Sequence, residues 1–204
     1  MSFIEQQKQR TLEMRQREEN MYAKRRIEAF ARSIPPSFRS WTLDAYREEN
    51  GRDTVAMKLE SFLLNPSQFL LFTGSIGAGK TAMSIATARA LLGTGKYASA
   101  TYVDMGSFLA TISTGYGVVP QDYLSTQILI LDDLGAGSQE FTPSMKRAIF
   151  QLFDHRWSNP GLVTILTTNL GIQGIRNMLT GPVWDRVGSS MMVVPMSGDS
   201  RRGK

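Results

Sequence analysis

The stretch Phe69-Leu70-Leu71-Phe72-Thr73-Gly74-Ser75-Ile76-Gly77-Ala78-Gly79-Lys80-Thr81 decides how the rest of the chain is read. Phe69 to Thr73 is an apolar run of the length of a buried strand. The next eight residues, Gly74-Ser75-Ile76-Gly77-Ala78-Gly79-Lys80-Thr81, match G-x-x-x-x-G-K-[ST] in full, and a segment rich in Ala, Met and Leu follows as a helix. Glycines let the backbone curl so that successive N–H groups face phosphate oxygens, and the helix adds its positive N-terminal end. Lys80 is placed to reach the β- and γ-phosphates, and the Thr81 hydroxyl supplies a ligand to magnesium. The spacing therefore predicts a site for ATP and Mg2+ on Gly74, Ser75, Ile76, Gly77, Ala78, Gly79, Lys80 and Thr81.

Downstream, Ile128-Leu129-Ile130-Leu131-Asp132-Asp133 reads as a buried strand delivering two acids to its C-terminal end. Asp132 is placed to hold the magnesium ion and Asp133 to polarise the attacking water. Adjacent acids on an extended chain point to opposite faces, which predicts different roles for the two. A further run ends in Thr167-Thr168-Asn169, a turn signal that also sets an uncharged amide where it could orient water.

Five strands are expected in all, at Phe69–Thr73, Ala100–Asp104, Ile128–Leu131, Leu162–Thr167 and Met191–Val194. Helices are expected at Thr54–Leu64, Lys80–Leu92, Met105–Ile112 and Pro143–Trp157, the last capped by Thr142. This alternation predicts an α/β fold, a five-stranded mainly parallel sheet between helices. One strand separates the two motifs in sequence, which favours the P-loop ATPases in which another strand lies between the motif strands. Residues 1–32 contain no Gly or Pro and only a thin apolar stripe, so they predict an N-terminal helical arm, a candidate partner-binding element. Ser33-Ile34-Pro35-Pro36-Ser37 closes that helix, and residues 33–204 form the ATPase domain.

Composition narrows the function further. The chain has 204 residues, no cysteine and one histidine, which excludes disulfides, zinc ribbons and thiol catalysis. With no signal-like N-terminus and no run long enough to span a bilayer, a cytoplasmic protein without membrane contact is expected. The net charge of +5 is uneven: residues 1–32 hold 8 Lys/Arg against 5 Asp/Glu, residues 197–204 hold 3 against 1, and residues 33–196 hold 12 of each. The body is neutral between two basic ends, so the charge is not by itself a nucleic-acid footprint.

The chain resembles the AAA+ ATPases of the DnaC/DnaI helicase-loader and IstB transposition-helper group over roughly residues 34–202. The carriers are Ile34-Pro35-Pro36 followed by Trp41-Thr42-Leu43-Asp44, the loop GSIGAGKT, ILILDDLG, Asp154-His155-Arg156-Trp157 before LVTILTTNL, Trp184-Asp185-Arg186-Val187, and Gly198-Asp199-Ser200-Arg201-Arg202. The resemblance implies an AAA+ core in which Asn169 senses the γ-phosphate. It implies that Arg186 is an arginine finger for the neighbouring subunit's ATP, and that Arg202 is a second sensor on the subunit's own nucleotide. It also implies a DNA-replication function: an ATPase that self-associates into an ATP-dependent ring or spiral, binds the hexameric DnaB-type replicative DNA helicase and helps place it on single-stranded DNA. The alternatives are an IstB-like helper acting on duplex target DNA and an ATP-gated adaptor with negligible turnover. Two features depart from the pattern. The acid pair is Asp-Asp where many AAA+ enzymes have Asp-Glu, which implies slow hydrolysis. The segment Met105–Gln127, where loaders contact single-stranded DNA, holds no Lys or Arg and offers Ser107, Thr111, Ser113, Thr114 and Tyr116 instead.

Overall fold

The computed structural model describes residues 3–51, 53–135, 141–179 and 181–197. The Gly- and Pro-free start of the chain forms one helix, α1 (Phe3–Ala31). Residues 4–22 are exposed, so local pairs one turn apart support the helix: Gln9 donates to Glu13 at 3.1 Å and Gln16 to Asn20 at 3.3 Å. Exposure falls from Ala23 through Ile27, and Phe30 and Ile34, each 1% exposed, belong to the core. Pro36–Phe38 then form a single 3-10 turn.

The remaining elements are α2 (Leu43–Asn50), α3 (Thr54–Leu64), β1 (Phe69–Gly74), α4 (Lys80–Gly93), β2 (Ala100–Asp104), α5 (Met105–Thr114) and α6 (Gln121–Ser125). They continue with β3 (Ile128–Leu134), α7 (Pro143–Trp157), β4 (Val163–Thr168), α8 (Ile172–Met178), α9 (Gly181–Ser189) and β5 (Met191–Met196). The five expected strands are present, and α3 and α7 have the expected bounds. Thr142 caps α7 through its hydroxyl, which accepts the Met145 N–H at 3.3 Å, and Pro143 occupies the first turn. The short helices α2, α6, α8 and α9 were not anticipated.

The sheet has the order β2-β3-β4-β1-β5, and every pairing is parallel. Strand β4 lies between the two motif strands, β1 and β3. Alternation along each strand divides the core in two. Leu70, Phe72, Ile128, Ile130 and Ile165 face a cluster closed by α2, α3, α4 and the end of α1. Phe69, Leu71, Leu129, Leu131 and Leu166 face a second cluster closed by α5, α7, α8 and α9. No helix among the described residues is long and apolar enough to cross a membrane.

One buried residue pins the edge of the sheet where the strands begin. Arg156 on α7 is fully buried, and its guanidinium donates to Thr164 Oγ1 at 2.7 Å and to the carbonyls of Tyr123, Thr126, Gln127 and Val163 at 2.7 to 3.3 Å. Burial pulls its pKa down to about 9, so it still carries its charge at neutral pH.

Candidate active site

Parallel strands deliver their C-terminal ends to one edge, and the candidate residues of β1, β3 and β4 collect there. β1 can run on into the loop only because residue 74 is glycine. Its φ is +143°, and a Cβ there would lie 1.9 Å from the Met196 carbonyl oxygen of β5. Gly77 and Gly79, with φ of 85° and 88°, turn the backbone over the N-terminus of α4. Ser75 and Ile76 sit exposed at the tip.

Lys80 is 7% exposed. Its ammonium donates to the carbonyls of Gly74 at 3.0 Å and Ser75 at 2.7 Å, and to Asn169 Oδ1 at 2.6 Å. The same Asn169 side chain donates through Nδ2 to Asp133 Oδ1 at 3.1 Å. One amide therefore joins the loop lysine to the second acid. Asp133 reaches it because β3 does not stay extended. Asp133 has φ of 59°, the register with β4 shifts between Leu131 and Leu134, and the Asp133 N–H donates to Thr167 Oγ1 at 2.8 Å. The expected alternation of the two acids to opposite faces is thus broken by a bulge, which brings both carboxylates to the same edge.

Asp132 is buried and accepts three hydroxyls: Thr81 at 3.0 and 3.1 Å, Thr167 at 2.5 Å and Tyr102 at 2.8 Å. Burial raises its pKa, and these hydroxyls oppose the rise. A desolvated carboxylate held by three hydroxyl donors, one of them the loop threonine, fits a divalent ion completed by phosphate oxygens and water. Among the described residues, no cluster of three or more His, Cys, Asp or Glu is placed to hold a metal alone. Two clefts flank the loop. One is lined by Phe38, Trp41, Gly77 and Lys80, and the other by Tyr46, Val55, Ala78 and Met196. The aromatic wall of the first cleft, beside the phosphate cradle, suits a purine ring, whereas the second also carries the polar Asn50, Asp53 and Thr54.

Arg186 lies elsewhere. It is in the last turn of α9, just before Ser190, whose carbonyl accepts the Phe69 N–H at the start of β1. That is the opposite edge of the sheet from the loop. Its guanidinium pairs with Asp154 of α7 and lies 5.4 Å from the Phe150 ring centroid and 5.6 Å from that of Trp157. Arg202 falls outside the described residues. Of the segment Met105–Gln127, Tyr116 is 99% exposed with φ of 54° between two glycines, while Thr111, Ser113 and Thr114 donate their hydroxyls back to helix carbonyls.

Sequence reasoning missed Tyr102 and Thr167 as partners of Asp132, and Asp154 as the partner of Arg186. The aromatic and acidic residue types were visible, but which strand register or helix pair joins them was not.

The fold is similar to that of the DnaC helicase loader, with a TM-score of 0.66 and 20% identity over 80% of this chain and 100% of that one. It is similar to DnaI, at 0.65 and 20% over 83% and 94%, and to the replication initiator DnaA bound to AMPPCP and single-stranded DNA, at 0.61 and 19% over 81% and 51%. At such identities the likeness concerns the fold alone. No curated protein matches the chain. In sequence, residues 7–204 match the IstB-like ATP binding proteins. Since that span takes in the phosphate loop, both acids and Asn169 together with most of α1, the chain belongs to the family of IstB-like ATP binding proteins.

Proposed function

We propose that the chain is a Mg2+-dependent ATPase of the loader type, which binds a hexameric DnaB-type replicative helicase and helps place it on single-stranded DNA. The observation that carries the ATPase part is the contact chain Lys80–Asn169–Asp133, set beside the Thr81–Asp132 pair. The likeness of fold to the DnaC loader over that chain's full length supports the loading part.

With ATP on the loop, Lys80 exchanges its present acceptors for β- and γ-phosphate oxygens. Thr81 and Asp132 would hold Mg2+, which neutralises charge on the phosphates. Asn169, released from Lys80, is left to report the γ-phosphate to Asp133. Asp133 orients a water molecule and accepts its proton as the water oxygen bonds to the γ-phosphorus. The bond to the bridging oxygen breaks, leaving ADP and phosphate. Arg186 is too far round the sheet to serve its own loop. It completes the site of a neighbouring copy in an ATP-dependent ring or spiral, and Arg202 reads the nucleotide of its own subunit.

The family match favours one other reading, an IstB-like helper acting on duplex target DNA. Two measurements test the proposal. Asp133→Asn should retain ATP binding and lose about a hundredfold or more in hydrolysis, measured with helicase and DNA present. Equal rates in mutant and wild type would reduce the chain to an ATP-gated adaptor. Co-elution with the host's replicative helicase in ATP supports loading, whereas ATP-dependent filaments on duplex DNA without helicase overturn it in favour of the helper.

A further inference from the structure

Three hydrogen bonds run from the end of α1 to the carboxylate of Asp132. Ser33 follows the last turn of α1, and its hydroxyl donates to the Phe30 carbonyl at 2.9 Å. The same oxygen accepts the Tyr102 N–H at 3.1 Å. Tyr102 is on β2, which pairs on one side only, with β3. Its N–H is therefore capped by a side chain of the arm's junction rather than by another strand, which also protects the sheet edge. From the same residue the phenol reaches across to β3 and donates to Asp132 Oδ2 at 2.8 Å.

The phenol is suited to that task. Of the three hydroxyls on Asp132, this one belongs to a residue whose own backbone is held at the junction of α1. That junction is itself buried through Phe30 and Ile34, and α1 packs on both α4 and β2. The first two-thirds of α1 extend into solvent.

We infer that Tyr102 is a positioning residue for the carboxylate of Asp132, and that Ser33 ties its placement to the seating of α1. The seating of α1 thereby sets how tightly the chain keeps magnesium nucleotide. The inference rests on the reading of the loop and Asp132 as the Mg·ATP site, and deepens it by naming a regulatory connection. Contiguity alone does not demonstrate coupling, so the test is a double-mutant cycle.

The full-length chain is titrated with a fluorescent, non-hydrolysable ATP analogue, in Mg2+ and again in EDTA. Tyr102→Phe keeps the ring in place. It should weaken binding in Mg2+ by about tenfold while leaving binding in EDTA unchanged, as expected for a group that orients a metal ligand. Ser33→Ala should weaken it about threefold in Mg2+ and add nothing in the Tyr102→Phe background, with Ser33→Thr restoring the wild-type value. Equal affinity of Tyr102→Phe and wild type in Mg2+ overturns the positioning role, as does an equal loss in EDTA. Additive effects of the two substitutions overturn the tie to α1. Failure of the wild type to bind the analogue at all would instead sink the ATP-site reading beneath it.

Discussion

Helices α1 and α4 pack on each other, yet they owe their existence to different physics. α4 carries Ala, Met, Ile and Leu on nearly every side and is buried along most of its length. Its internal hydroxyls are satisfied within the helix: Ser84 donates to the Thr81 carbonyl at 2.8 Å and Thr87 to that of Met83 at 2.7 Å. α1 is twice as long and exposed over residues 4–22, where helix propensity and polar pairs must sustain it. Packing makes α4 a rigid mount for the phosphate loop. The long exposed stretch of α1 is sustained locally, while Ile27 and Phe30 near its end pack with the core.

Three substitutions probe this contrast, from largest effect to smallest. Gly74→Ala strikes the frame on which α4 begins. Its Cβ would overlap the Met196 carbonyl, so a loss above about 4 kcal/mol, or no folded protein, is expected in urea unfolding. Phe30→Ala tests whether the last turn of α1 behaves as core, with an expected loss of about 3–5 kcal/mol by the same measurement. Leu12→Ala, on the exposed part of the same helix, should shift stability by less than about 0.5 kcal/mol. Should Phe30→Ala prove as harmless as Leu12→Ala, the division within α1 disappears and the whole helix is an appendage. A large cost at Leu12 would mean that α1 already has a partner surface within or between copies of the chain.

What was legible in the sequence follows from how local each signal is. The phosphate loop, the strand behind it and the acids at 132 and 133 are contiguous words with a fixed chemistry, and the structure brings them to one edge. The long helices α3 and α7 announce themselves by caps and apolar spacing. The helices α2, α6, α8 and α9 are short, and α9 opens on Gly181-Pro182, so tertiary packing rather than local preference forms them. The bulge at Asp133 was hidden because nothing in Leu131-Asp132-Asp133-Leu134 requires a positive φ. Arg156 appeared in the sequence only within Asp154-His155-Arg156-Trp157, and nothing in that stretch marks it as buried. Only the convergence of carbonyls from two strands and a short helix, distant in sequence, shows why a cation belongs inside.

That convergence has a consequence for how the molecule comes apart. Among the described residues Arg156 has no carboxylate partner, and its charge is spread over carbonyl oxygens at the starts of β3 and β4 and the end of α6. Releasing one of these segments alone would strand part of a desolvated charge. The three must open together or stay closed. The sheet is thereby clamped at the end opposite the phosphate loop.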